Sequence, residues 1–160
     1  MPSWRTMACL IEKDLKMEQL MPLIRERLEA GQSVRFSPRG ISMLPMLRQG
    51  LDSVVLSPLP DRLKKYDLPL YQRESGQYVL HRVVAVGETY TCLGDNQLIL
   101  EPGLKHSQMI AVVTAFYRGE KYHGVTEPGY RLYCRMWCGS WKLRLFWRRG
   151  TGWLKRHFVR

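Results

Sequence analysis

The feature that most constrains the fold is a succession of short β-branched and aromatic runs between about residues 33 and 118. Glycine, proline, aspartate and asparagine separate the runs, which is typical of an antiparallel β-rich unit. Residues 73–77 and 86–89 have the composition of turns between paired strands. The predicted strands are Ser33–Phe36, Ser53–Leu56, Leu68–Tyr71, Tyr78–Val86, Thr89–Leu93, Leu98–Leu100 and Met109–Tyr117.

A helical pattern precedes this β-rich region. Between about residues 11 and 30, apolar residues recur mostly at three- and four-residue spacings, and charged residues fill the gaps. Gly31 stands where the helix would end, and Pro22 either kinks the segment or marks where its regular part begins. We therefore predict a mainly β, α+β fold in three segments. Residues 1–32 form a helical segment, 33–118 a β-rich core, and 119–160 a connector and basic tail.

The basic tail sets the charge of the whole chain. The 160 residues carry a net charge of +11, and Tyr130–Arg160 contains nine Lys or Arg residues, no acidic residue and four of the five tryptophans. An amphipathic helix is expected here, ending near residues 150–152 and followed by a basic end piece. Such a segment favours anionic partners, either a lipid surface or nucleic acid. The alternative is that its aromatic residues pack on the body and its charges are solvated.

The cysteines and the chain's hydropathy restrict the cellular setting. Cys134 and Cys138 would share a helical face, but no second pair completes a zinc site, so we predict neither a metal ion nor another cofactor. No disulfide framework or secretory leader is evident, and no stretch approaches the roughly 20 apolar residues of a spanning helix. We expect a cytoplasmic protein, with peripheral membrane binding through residues 130–160.

Ser42 is the candidate nucleophile, in the sequence Gly-Ile-Ser-Met-Leu-Pro-Met-Leu that begins at Gly40. A serine hydroxyl attacks only when a base accepts its proton, in a rigid and partly apolar setting. Gly40 would let the backbone approach closely, and Pro45 would stiffen the exit from the turn. We also expect Met43 and Pro45 to contact the substrate. The alternative interpretation is an ordinary turn serine.

His81 is the candidate base. In an extended strand its side chain would share a face with Val79 and Val83, while Arg82 would point the other way. An ordinary imidazole has a pKa of about 6.5, which suits proton abstraction near neutral pH. The alternative is a buried histidine with a purely structural hydrogen bond.

Three blocks, in order, carry a resemblance: the Ser42 segment, Leu80-His81-Arg82-Val83-Val84, and Gly94-Asp95-Asn96-Gln97. In this order they resemble the signal peptidase I and LexA-type serine peptidases, and in particular the endoplasmic-reticulum-like branch that pairs serine with histidine. The resemblance spans about residues 34–118. It implies a serine endopeptidase in which Ser42 and His81 form a catalytic dyad.

The resemblance also implies a carboxylate that orients or supports the histidine. Asp95 occupies the matching block, but the further aspartate that relatives carry soon afterwards is missing. Either Glu101 takes this role or Asp95 acts alone. A plain turn is the alternative interpretation of Gly94–Gln97.

The resemblance implies a leader or signal-type peptide, or another extended peptide, as substrate. It would be cut through an acyl-enzyme, with small side chains near the cleavage point. The alternative function is a LexA-like regulator or nucleic-acid-binding module with a vestigial or self-cleaving peptidase core. Because no helix-turn-helix pattern is evident, nucleic acid is not the expected partner. The oligomeric state is left open.

Overall fold

The fold is known from a computed structural model that describes residues 17–141, 143, 144 and 146. The strands form two β-sheets, preceded in the chain by one helix and followed by another, which confirms the predicted mainly β, α+β class. The elements in chain order are α1 (Met17–Glu29), β1 (Val34–Phe36), β2 (Asp52–Pro58), β3 (Pro69–Gln72), β4 (Tyr78–Leu80), β5 (Arg82–Val86), β6 (Tyr90–Leu93), β7 (Glu101–Leu104), β8 (Met109–Arg118), β9 (Lys121–Gly124) and α2 (Pro128–Gly139).

The larger sheet is built around the long strand β8. Its order is β1-β2-β8-β3-β4, with β9 also paired to β8, and every pairing is antiparallel. Ala111, Val113 and Ala115 are buried, whereas alternate residues are more exposed, so one face of β8 turns to the core. Strand β4 ends this order and lies at the edge of the sheet among the described strands.

Helix α1 covers part of the larger sheet. Leu20, Met21, Ile24 and Leu28 are buried and pack with β1 and β2 residues in one core. This confirms the predicted amphipathic helix from Met17 onward, with Pro22 inside it. The predicted part between residues 11 and 16 lies outside the described residues.

The smaller sheet has the order β5-β6-β7 and its own apolar cluster. The prediction of a single strand over residues 78–86 was wrong, because the strand is interrupted at His81. Strand β4 pairs with β3 in the larger sheet, whereas β5 pairs with β6 in the smaller one. His81 therefore lies where the chain passes from one sheet to the other.

Two other predictions about elements need correction. Residues 98–100 form no strand; the third strand of the smaller sheet starts at Glu101 instead. The predicted connector after Gly119 contains β9, which continues the larger sheet as a hairpin with β8. The alternation of apolar residues is weak in both observed strands, which explains why pattern analysis missed them.

Candidate active site

Ser42 lies in the loop between β1 and β2, two residues after a turn at Gly40. Gly40 has a φ of 96°, a left-handed conformation that favours glycine. A Cβ added at Gly40 would meet no atom within 4 Å. The expected reason for this glycine, close backbone approach, was therefore wrong; the turn needs its backbone conformation.

The Gly94–Gln97 block holds the Ser42 loop in place. The Asn96 N–H donates to the Ser42 carbonyl at 2.8 Å, and the Asn96 side-chain amide donates to the Ile41 carbonyl at 3.2 Å. On the other side, the Gly40 N–H donates to the Gln49 side chain at 3.0 Å. Residues far apart in sequence thus fix the backbone that carries the candidate nucleophile.

Gly94 is the point at which the serine loop and the histidine meet. A Cβ built on Gly94 would lie 2.8 Å from the Ser42 carbonyl oxygen and 3.0 Å from His81 Nε2. Such distances are too short for a side chain, so glycine is required for close approach here. Because both atoms lie within 3.0 Å of one position, the structure brings Ser42 and His81 together.

His81 is 2% exposed, and its two ring nitrogens have different surroundings. Nδ1 lies 3.0 Å from a Glu101 carboxylate oxygen and 3.2 Å from the Tyr71 hydroxyl. Nε2 faces Gly94, beside the Ser42 loop. If the Nδ1–H donates to Glu101, the neutral tautomer leaves Nε2 as a proton acceptor on the serine side.

Glu101 is held by two further donors. Arg73 donates to both carboxylate oxygens, with the Nε bond at 2.9 Å, and the Tyr71 hydroxyl donates at 3.0 Å. Burial favours the neutral acid, but the hydrogen bonds from Arg73 and Tyr71 outweigh it and lower the pKa of Glu101. The residue next to the imidazole is therefore a carboxylate near neutral pH.

Burial also sets the protonation of the imidazole. It disfavours the imidazolium and lowers the pKa of His81 below its usual value, while the nearby Glu101 charge partly opposes the shift. His81 is accordingly neutral near pH 7. A buried neutral imidazole that contacts a carboxylate through Nδ1 has the properties of a general base.

Asp95 does not orient the histidine as expected, because its carboxylate is hydrogen-bonded elsewhere, but its charge does oppose the lowering of the His81 pKa by burial. Its carboxylate accepts two hydrogen bonds from Arg82, at 2.9 and 2.7 Å, and one from the Tyr133 hydroxyl at 2.9 Å. Arg82 is completely buried, and a buried guanidinium requires a carboxylate partner. Glu101, the alternative considered in the sequence, is the carboxylate that contacts His81.

Ser42 and His81 line one cleft of about 600 Å³. Met43 lines it too, as expected for a substrate contact, and its side chain is anchored in the core. Pro45 is exposed and lies outside the lining, so its position does not support the predicted contact. Among the described residues, no hydrogen bond joins the Ser42 hydroxyl to His81.

Helix α2 and the residues directly after it pack on the loop between β6 and β7, and their aromatic side chains contact the body. The Trp137 indole N–H donates to the Asp95 carbonyl at 2.8 Å, and the Trp141 N–H donates to the Leu98 carbonyl at 3.2 Å. Arg144 donates to the Asp95 carbonyl at 2.7 Å. For these residues the alternative interpretation of the tail holds, since they pack on the protein. The predicted end piece over residues 153–160 lies outside the described residues.

Sequence reasoning missed Tyr71 and Arg73, which hold Glu101. Arg73 stood at a predicted hairpin turn, and nothing local linked it to a carboxylate 28 positions away. Arg82 did carry a signal, because a charge inside an apolar strand predicts a buried partner of opposite charge.

The described part of the chain contains no cluster of three or more His, Cys, Asp or Glu side chains arranged to hold a metal ion. Cys92, Cys134 and Cys138 are free thiols. None of the helices within the described ranges has both the length and the apolar composition needed to cross a bilayer.

Comparisons with models of protein families, with curated proteins and with solved structures gave no match to this chain.

Proposed function

We propose that this chain is a serine endopeptidase that uses a Ser42–His81 dyad, with Glu101 supporting the histidine. The observation that carries the proposal is the meeting of the Ser42 loop and His81 Nε2 at Gly94, in one open cleft. Catalytic hydrogen bonds are often long or poorly aligned before substrate binds, so a serine hydroxyl without a bond to the imidazole is compatible with this role.

The proposed reaction begins when Ser42 attacks a backbone carbonyl of the substrate while His81 Nε2 accepts the hydroxyl proton. The Glu101 carboxylate stabilises the imidazolium that forms. His81 then returns the proton to the leaving amine, and an ester joins Ser42 to the substrate. A water molecule, deprotonated by the same nitrogen, hydrolyses the ester and restores the serine.

Backbone amides beside the serine support the same reaction. Within the described part of the chain, neither the Ser42 nor the Met43 N–H donates a hydrogen bond to the protein. Amides that face a developing negative charge are the usual means of stabilising a tetrahedral intermediate. We assign the oxyanion site to these two amides.

The position of β4 indicates how a peptide would bind. Tyr78–Leu80 lines the cleft and forms an edge of the larger sheet. An extended peptide can add to such an edge through backbone hydrogen bonds, which selects for conformation more than for sequence. This geometry favours cleavage within an extended segment.

The experiment compares wild type with Ser42→Ala and His81→Ala on candidate leader peptides and a mixed peptide library, with products identified by mass spectrometry. We expect either change to reduce cleavage by roughly 1,000-fold or more. Ser107→Ala, a change at an exposed serine in the turn before β8, is the matched control and should cleave normally. Equal cleavage by Ser42→Ala and wild type would contradict the proposal. Intact-mass measurement after incubation detects self-cleavage.

A further inference from the structure

Apolar side chains are exposed along the outer side of α2 and at residues 143 and 146, which follow it. Opposite the face that packs on the body, four apolar side chains are each more than half exposed, with Met136 at 65% and Phe146 at 75%. We call this set the apolar stripe: Leu132, Met136, Leu143 and Phe146. Apolar side chains clustered on one face of a helix, with polar residues beside them, are typical of a surface that contacts another apolar phase.

A basic pocket lies on the flank of the same helix. It has a volume of about 370 Å³ and shares no lining residue with the cleft at Ser42. Four exposed cations line it: Lys64 and Lys65 from the loop before β3, and Arg131 and Arg135 from α2. None of the four takes part in an ion pair among the described residues.

The pocket keeps a net positive charge. Asp67 is the single acidic residue among its lining residues, and its carboxylate accepts the backbone N–H of Lys64 at 2.7 Å. One carboxylate against four cations leaves an electrostatic preference for a bound anion. A pocket of this kind has the charge and size to accommodate a phosphate group.

The apolar stripe and the basic pocket are adjacent. Arg131 and Arg135 immediately precede Leu132 and Met136, so on the helix the two arginines flank the stripe on the side of the pocket. Together they form one surface, in which an apolar stripe has cations along one side. Interfacial helices that lie on anionic bilayers have this combination.

We propose that this surface docks on an anionic phospholipid bilayer, with the apolar stripe at the acyl boundary and a lipid phosphate in the basic pocket. The composition of the stripe favours lipid over nucleic acid, because three of its four side chains are aliphatic and cannot stack on bases. The inference does not depend on the peptidase activity, since it uses none of the residues of the cleft.

Three variants of the full chain test the inference. The stripe variant carries Leu132→Ser, Met136→Ser and Phe146→Ser. The pocket variant carries Lys64→Gln, Lys65→Gln, Arg131→Gln and Arg135→Gln. The control removes the same charge from exposed positions elsewhere, through Arg25→Gln, Lys105→Gln, Arg118→Gln and Lys121→Gln. All the changed side chains are exposed, and circular dichroism verifies that each variant is folded.

The measurement is flotation with vesicles of phosphatidylcholine alone or mixed with phosphatidylglycerol. We expect wild type to bind the mixed vesicles, and the pocket variant to bind more than ~10-fold more weakly because each surface cation contributes to attraction. The stripe variant should lose affinity by a similar factor, whereas the control should stay close to wild type. Ser42→Ala should bind as wild type does, which separates docking from catalysis.

Four outcomes would overturn the inference. Wild type that does not float with anionic vesicles excludes docking. Equal loss of binding in the pocket variant and the control would mean that net charge alone is responsible. Tighter binding to single-stranded RNA than to vesicles, unchanged in the stripe variant, would assign the surface to nucleic acid. Self-association that the stripe variant abolishes, without vesicle binding, would assign it to a second copy of the chain.

Discussion

His81 illustrates how neighbouring groups can fix the two ring nitrogens of a buried histidine in different surroundings. Its Nδ1 is fixed by Glu101 and Tyr71, and its Nε2 is left at the Ser42 loop. The two nitrogens of a neutral imidazole differ in protonation, so fixing a donor at one makes the other an acceptor. The ion pair between Glu101 and Arg73 therefore matters for the proposed reaction, although Arg73 itself does not contact the proposed reacting atoms.

The first prediction concerns Glu101→Gln. The amide cannot stabilise the imidazolium as a carboxylate does, so we expect kcat for peptide cleavage to fall by roughly 100-fold or more. The Glu101 charge raises the pKa of His81; without it the pKa falls further. The acid limb of the pH–rate profile should therefore move to lower pH. Cleavage rates measured between acid and neutral pH test both effects.

The exposed Glu74 provides a matched control, because it lies in the turn before β4 and removes the same charge when changed to glutamine. Glu74→Gln should leave both the rate and the pH profile unchanged. If Glu101→Gln instead cleaves at the wild-type rate, the carboxylate does not assist His81 and the proposed role is wrong.

At the scale of elements, α2 supports the cleft. The Arg82 side chain extends from the start of β5 away from the cleft. It donates hydrogen bonds to Asp95, Tyr130 and Cys134, and the last two residues lie on α2. Asp95 in turn precedes Asn96, whose N–H holds the Ser42 carbonyl. One buried ion pair thus connects the C-terminal helix, the smaller sheet and the loop that carries the candidate nucleophile.

The second prediction is that Asp95→Asn strongly destabilises the fold. The change keeps the shape but leaves the Arg82 guanidinium buried without a counter-charge, which typically costs about 3–5 kcal/mol of unfolding free energy. Urea unfolding followed by fluorescence should show a much lower midpoint than wild type. Replacement of both partners by apolar residues should recover part of the loss, because no charge is then buried.

Glu127→Gln serves as the comparison, since Glu127 pairs with His123 near the surface. Its unfolding midpoint should change far less than that of Asp95→Asn, because solvent screens an exposed pair. Similar midpoints for the two variants would show that burial of the Arg82–Asp95 pair does not govern its contribution.

Local sequence patterns predicted elements well where an apolar run or repeat is bounded by turn residues. The α1 pattern and the runs that became β2, β3, β6 and β8 are of this kind. The run over residues 78–86 failed because a change of sheet at His81 leaves no trace in the alternation of side chains. Strand β9 is held by its hairpin with β8, which is a contact between elements and not a local preference.

For the whole molecule, the site is assembled by both sheets and two loops. Ser42 and His81 were predicted as a pair because their neighbours resemble those of a peptidase family, and in the structure both residues line one cleft. The choice between Asp95 and Glu101 could not be made, because it depends on which carboxylate reaches the imidazole and which one neutralises Arg82. That choice is fixed by the packing of α2 and the smaller sheet.

The last prediction concerns the stability of the whole fold. Burial lowers the pKa of His81 in the folded state below the unfolded value of about 6.5. As the pH falls through 6.5 toward the lowered pKa, the unfolded chain therefore binds more protons than the folded chain. The contribution of neutral His81 to the free energy of unfolding is full above pH 6.5 and is lost below it. Over that interval the free energy of unfolding should fall by up to ~1.4 kcal/mol per pH unit.

Urea unfolding of wild type and His81→Gln at several pH values isolates the effect, since glutamine does not titrate. The two stability curves should converge on acidification, and parallel curves would mean that the His81 pKa does not change on folding.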